Sequence, residues 1–300
     1  MCRRTIAAVL LVWVSSVLHA GPYDYQLTGT IGARGMGPGQ FLSPDGLAVN
    51  DEFVFVCDTD NHRVVRYDRF LQQYTVFSAL PDAYFELDRP HGIALLQSSQ
   101  ILISDTYNNR LLVYSYEGFF KSVVGSTGFF NLQFNRPTGL SQGFDGKVYV
   151  ADTGNNRVQV LSPRLEYVSD FGTVGTGKAL LRDPRAIVAT DDGNLLIADT
   201  GNRRVALFDP FGNWIRDVAT ATSSATLEEP VALARLSEGL YFVADVGQRA
   251  VLLVDIHSGA ILSRLSAGLL EPVAVAVYQP AVFISDTGRQ QIVIFEPVKP

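Results

Sequence analysis

The chain has 300 residues, 47% apolar and 18% charged, an ordinary globular balance long enough for one large core or two small ones. Its net charge is −6, falling to −8 when Arg3 and Arg4 are set aside with residues 1–20, and lysine occupies only four positions. So acidic and lysine-poor a chain is a poor match for nucleic acid, whose phosphates are held by clustered Lys and Arg.

Residues 1–20, MCRRTIAAVLLVWVSSVLHA, have a basic start, an apolar run and a small residue, Ala20, before Gly21-Pro22. That pattern predicts a secretory signal peptide, and hence export to the periplasm or the extracellular space. The uncharged run from Thr5 to Leu18 is shorter than the ~20 residues a bilayer-spanning helix needs. No membrane span is expected once the signal is removed. Cys2 leaves with it, so Cys57 stands alone and no internal disulfide can form. Ser104, Ala151, Ala198, Ala244 and Ser285 fill the place of Cys57 in sister segments, which marks it as a small core residue.

Residues 21–300 read as one repeated unit. Pro44, Pro90, Pro137, Pro184, Pro230 and Pro272 each open an apolar run, with an apolar residue three positions earlier. After each comes Asp58, Asp105, Asp152, Asp199, Asp245 or Asp286, at successive gaps of 47, 47, 47, 46 and 41 residues. Within the third unit, GLSQ, KVYVAD, RVQVLS and YVSDFG are strand-like runs separated by GFDG, TGNN and PRLE turns. Four short antiparallel strands per repeat of roughly 40–50 residues predict an all-β propeller of six blades. The sixth unit ends after its third strand, whereas Tyr25–Gly32 precedes the first unit and belongs to none. The N-terminal strand is therefore expected to complete the last blade and hide its edge.

The spacing Pro-x-Gly-Ile/Leu-Ala, followed by Asp-Thr-Gly-Asn-Asn-Arg-Val, resembles the NHL repeat, and the likeness runs through essentially all of residues 21–300. The fifth and sixth units depart from it, with Ala250 and Gln291 replacing the arginine that follows the turn. The resemblance implies a six-bladed propeller used as a recognition platform. It also admits a minority of metal-dependent lyases and lactonases, in which histidines from several blades hold zinc near the axis.

A catalytic centre is one point in space, but the Asp-Thr turn recurs in every unit. Its residues are read as frame: the aspartates accept backbone N–H groups in the tight turn after the second strand, the turn Asn and Gly adopt left-handed angles, and Arg63, Arg110, Arg157 and Arg204 pair with a carboxylate of their own or a neighbouring blade. Function is expected where the sixfold pattern breaks. The proline loops and the Asp-Thr turns share one face, which also carries the long connections. The residue after each proline faces the axis: Asp45, His91, Thr138, Arg185, Val231 and Val273. Hairpin counting sets His91 opposite Asp105 and Arg185 opposite Asp199. Non-repeating aromatics on the same face are Tyr84, Phe85, Tyr107, Phe129 and Phe130. Tyr107 is expected to be exposed and the phenylalanines to pack their loops.

Catalytic zinc takes three protein ligands, and only His91 occupies an axial position. His62 lies in a turn and His257 on the opposite face. No cofactor is implied, although calcium could use Asp45 with neighbouring oxygens. No nucleophile, oxyanion site or phosphate loop stands beside the His91–Asp105 pair. The sequence thus favours a non-catalytic scaffold binding a protein, peptide or glycan on the proline-loop face, its oligomeric state open. A metal-dependent lyase or lactonase at the channel mouth and a structural subunit of an envelope assembly are the alternatives.

Overall fold

The computed structural model describes residues 23–69, 73–77, 86–220 and 227–298. The expected signal peptide, and the loop segment bearing Tyr84 and Phe85, lie outside these residues. Six four-stranded antiparallel sheets stand around a central axis as a β-propeller. Their innermost strands are Pro44–Val49, Pro90–Leu96, Pro137–Gln142, Pro184–Ala189, Pro230–Ser237 and Pro272–Tyr278. Blades I to V run in chain order from the axis outward. Blade VI is completed by Tyr25–Ile31, which pairs antiparallel with Gln291–Pro297 from Tyr25 opposite Pro297 to Ile31 opposite Ile292. The N-terminal strand closes the ring.

The core lies between blades. Val, Leu, Ile and Phe alternate along the middle strands, so each sheet offers apolar side chains to both neighbours. Phe55, Phe77, Ile103 and Leu112 fill the space between blades I and II, for example, and Tyr149, Val160, Ile197 and Phe208 that between III and IV. Near the axis the inner strands come too close for side chains. A Cβ on Gly46 would collide with the His91 carbonyl, and one on Gly92 with the Thr138 carbonyl. Neither glycine has a positive φ, so the Pro-x-Gly glycine serves close approach between neighbouring strands.

Each Asp-Thr turn is a short 3-10 turn in the first four blades, Thr153–Asn155 in the third. The aspartate before it has no solvent exposure in any blade. In blade III, Asp152 Oδ1 accepts the Asn135 N–H at 2.8 Å, while Oδ2 accepts Asn155 Nδ2 at 2.9 Å and Arg157 Nε at 2.8 Å. Arg157 continues outward, donating from Nη2 to the carbonyls of Phe130 and Gln133 at 2.9 Å each. Asp58 with Arg63 and Asp199 with Arg204 repeat the arrangement on the loops before their prolines. Asp105 holds the Asp88 N–H at 2.7 Å and Arg110 Nε at 2.7 Å. One carboxylate thereby ties turn, third strand and long loop together. Burial lifts the carboxyls of Asp58, Asp105 and Asp199 above their ordinary range despite these donors.

The threonine of the motif joins blade to blade. Thr59, Thr106 and Thr153 donate from Oγ1 to the carbonyls of Pro90, Pro137 and Pro184, each at 2.7 Å, and Thr200 to that of Pro230 at 2.5 Å. Ser285 donates to the Pro44 carbonyl at 2.6 Å across the closure between blades VI and I. The glycine of the turn departs from expectation. The left-handed residue is the fifth of the motif, with φ of 52° at His62, 54° at Asn109, 54° at Asn156 and 53° at Arg203. Gly154 has no positive φ and is small because Asn135 packs against it.

Two outcomes follow. Asp152→Ala leaves the nearly buried Arg157 guanidinium only the more distant Asp170 carboxylate, at 3.5 Å, and should cost about 3 kcal/mol, lowering the melting temperature on the order of 10 °C by calorimetry. A loss under ~1 kcal/mol would show that the carboxylate does not hold the turn. Removing residues 21–33 should leave Gln291–Pro297 as an open edge and destabilise the whole ring; an unchanged thermal transition would contradict the closure.

Candidate functional site

The six residues that follow the prolines line one cavity of about 300 Å³ at the proline-loop end of the axis. A bulge in each inner strand places them there. Pro90 stands opposite Asp105 and regular pairing resumes only at Ile93 with Ile103, which turns His91 out of the ladder. The expected hairpin pairs are therefore corrected. Asp105 is occupied by its own turn, and His91 Nδ1 lies 2.5 Å from Asp45 Oδ2 of the preceding blade. Arg185 likewise turns from Asp199 to Asp183, at 3.0 Å, and Glu229, at 3.6 Å. Thr138 Oγ1 lies 2.6 Å from Thr153 Oγ1 and 2.9 Å from the Arg185 carbonyl oxygen.

Burial of the His91 ring opposes its charge, as do Arg185 and Arg89. The Asp45 carboxylate outweighs them by charge and hydrogen bond, so His91 keeps its proton above its ordinary pKa. Tyr107 lies against His91, the rings 6.4 Å apart and 19° from parallel, and under the Arg89 guanidinium at 5.2 Å. Tyr107 is half exposed, as expected, and it joins the cavity wall. The two phenylalanines do not pack their loop. Phe129 and Phe130 remain 67% and 64% exposed, touching each other at 4.3 Å between centroids. Beneath them the loop packs on the buried Phe134, and its backbone is bonded by Arg157 and Gln159.

Residues 41–67, 87–114 and 134–161 match the family model of the NHL repeat. The chain carries NHL repeats. No curated protein sequence matches it. Among solved structures it resembles catalytically inactive virginiamycin B lyase from Staphylococcus aureus with quinupristin, at 11% identity and a TM-score of 0.66 over 92% of this chain and all of that one. A putative gluconolactonase is similar at 15% identity and a TM-score of 0.65, covering 89% of this chain and 92% of the other. A chain of a nidogen/laminin complex is similar at 17% identity and 0.64, covering 81% and 85%. At such identities the likeness is one of fold.

The three matched NHL units are blades I to III, and the structure divides the ring by how one blade grips the next. The residue before the proline has a φ of 50° at Ser43, 46° at Arg89, 48° at Arg136 and 50° at Asp183. This left-handed conformation is unfavourable before proline. It persists because the fifth motif residue of the preceding blade accepts the N–H: Gln290 for Ser43 at 2.6 Å, His62 for Arg89 at 3.4 Å, Asn109 for Arg136 at 2.7 Å and Asn156 for Asp183 at 2.9 Å. Where that residue is Arg203 or Arg249, a donor only, the next pre-proline residues Glu229 and Glu271 avoid the left-handed region and bond Asp245 and Asp286 instead. Sequence reasoning missed Arg136 and Asp183 as lining residues. Their signal was the position immediately before proline, which the repeat had already marked.

Among the described residues no three His, Cys, Asp or Glu side chains converge to hold a metal ion. His91 is the lone histidine in the cavity wall and its partner carboxylate faces it directly, so this donor set does not fit a three-ligand zinc site. The Asp45–His91 pair gives a pH signature. Because the folded pKa of His91 is raised, its stabilisation is complete below about pH 6.5 and is lost as pH rises through the folded value. In NMR titrations the His91 ring should titrate above ~6.5 in the native protein and below it in Asp45→Asn. Identical curves would mean that the pair does not control the proton.

Proposed function

We propose that this NHL-repeat propeller is an exported, non-catalytic recognition scaffold whose partner, a protein, peptide or glycan, docks on the proline-loop face at the mouth of the axis. One observation carries the reading. The chemistry-bearing side chains that repeat from blade to blade are engaged in holding turns, loops and neighbours, whereas the side chains that differ between blades meet at a single cavity. Rigid scaffolds with variable loops put binding where symmetry fails. The pattern of residues 1–20 supports export.

A second reading draws on the Asp45–His91 pair in that cavity and on the likeness to a lyase and a putative gluconolactonase. Under it the mouth would be a metal-dependent active site. The donor set argues against this, since the one histidine and the two carboxylates of the wall, each already paired, do not converge on one point among the described residues. A structural role in an envelope assembly uses the same face and differs only in the permanence of the partner.

Peptide and glycan arrays probed with the purified protein test the proposal. The native chain should retain a binder that a His91→Ala/Arg185→Ala variant, still folded by circular dichroism, retains at least about tenfold more weakly. Equal retention would move the site off the mouth. Stoichiometric metal by elemental analysis, lost in His91→Ala, would favour the enzyme.

A further inference from the structure

The mouth itself indicates what chemistry it takes, on the footing that it is the binding site proposed above. Its wall is divided by blade. Blades V and VI contribute Val231, Ala232, Val273 and Ala274, all apolar. Blades II to IV contribute His91, Arg136, Thr138 and Arg185. Two carboxylates also line the cavity, and both are engaged: Asp45 with His91, and Asp183 with Arg185, which Glu229 also reaches. Arg136 differs. Among the described residues no carboxylate lies within ion-pair distance of its guanidinium, although the chain as a whole is acidic.

The backbone shows that Arg136 is placed rather than merely exposed. It occupies the left-handed region before Pro137, at φ 48°, held by the 2.7 Å hydrogen bond from its N–H to Asn109 Oδ1. Strain of this kind persists only where the surroundings determine it, and here it sets the direction in which the side chain leaves the loop. A planar guanidinium presents paired donors matched to a carboxylate. Across the cavity, apolar blades V and VI offer surface to a hydrocarbon group. The volume of about 300 Å³ is at the small end of ligand pockets, enough for one side chain and its head group.

We infer that the channel mouth binds an amphipathic carboxylate, its acid group on Arg136 and its apolar group against Val231 and Val273. Two sources share this chemistry: a small free acid, and the C-terminus of a peptide ending in an apolar residue.

Titration calorimetry on the full chain separates them. The probes are N-acetyl-leucine and its amide, and a pentapeptide ending in leucine with a free or an amidated C-terminus. Each acid that binds should do so at least about tenfold more tightly than its amide. Arg136→Gln should abolish that preference without lowering the melting temperature, and Val273→Ser, which removes apolar surface without adding charge, should weaken acid and amide alike. A tighter small acid supports a free ligand, and a tighter peptide acid supports a chain terminus; both carry the same chemistry. Equal affinity for acid and amide, a preference that survives Arg136→Gln, or no binding of either acid would overturn the inference. An array binder that needs His91 and Arg185 but ignores the carboxylate would leave the scaffold reading standing and remove this one alone.

Discussion

At the end of the second strand of every blade sits a carboxylate with no contact with water: Asp58, Asp105, Asp152, Asp199, Asp245 and Asp286. Burying six such groups is unfavourable unless each is surrounded by donors. The fold supplies them from three directions, and in doing so it determines where the long loops run. In blades I to IV the backbone N–H comes from the loop before the proline, the amide from the turn and the guanidinium from the third strand. In blades V and VI a second loop N–H takes the place of the guanidinium. A loop that moved away would take a donor from a buried charge, so the carboxylate favours the loop in place.

On that frame the ring is not uniform. In four places a side-chain acceptor at the fifth motif position holds the next pre-proline residue in a left-handed conformation, and in two places an arginine there cannot. The loops that take the strained form precede Asp45, His91, Thr138 and Arg185, whereas the two relaxed loops precede Val231 and Val273. The division in blade linkage therefore coincides with the division of the mouth into a polar arc and an apolar one. The change from an acceptor to a donor at the fifth motif position thus accompanies the change in the lining of the mouth.

The architecture was legible because its signals repeat. Proline, glycine and the Asp-Thr turn recur at a nearly constant interval, and the unmatched strand at one end answered the missing strand at the other. The axial residues were legible too, since their position after proline is part of the repeat. What they touch was not. Counting across a hairpin assumes an unbroken ladder, and the bulge after each proline breaks it, so His91 reaches Asp45 of the neighbouring blade and not Asp105. Contacts between blades span about one repeat in sequence, and no local pattern encodes them. The exposure of Phe129 and Phe130 was hidden for a similar reason. The groups that bond that loop's backbone, Arg157 and Gln159, come from a strand that follows it.

Native-state hydrogen exchange on the loop amides that the buried carboxylates accept addresses the central claim most directly. The N–H groups of Leu42, Asp88, Asn135, Arg182, Glu228 and Glu271 are the ones to follow. If the carboxylates fasten the loops to the ring, these amides will exchange only through global unfolding, with the same denaturant dependence as the inner strands. Exchange through local openings, insensitive to denaturant and far faster than that of the strands, would show that the loops move freely and that the aspartates do not set the frame.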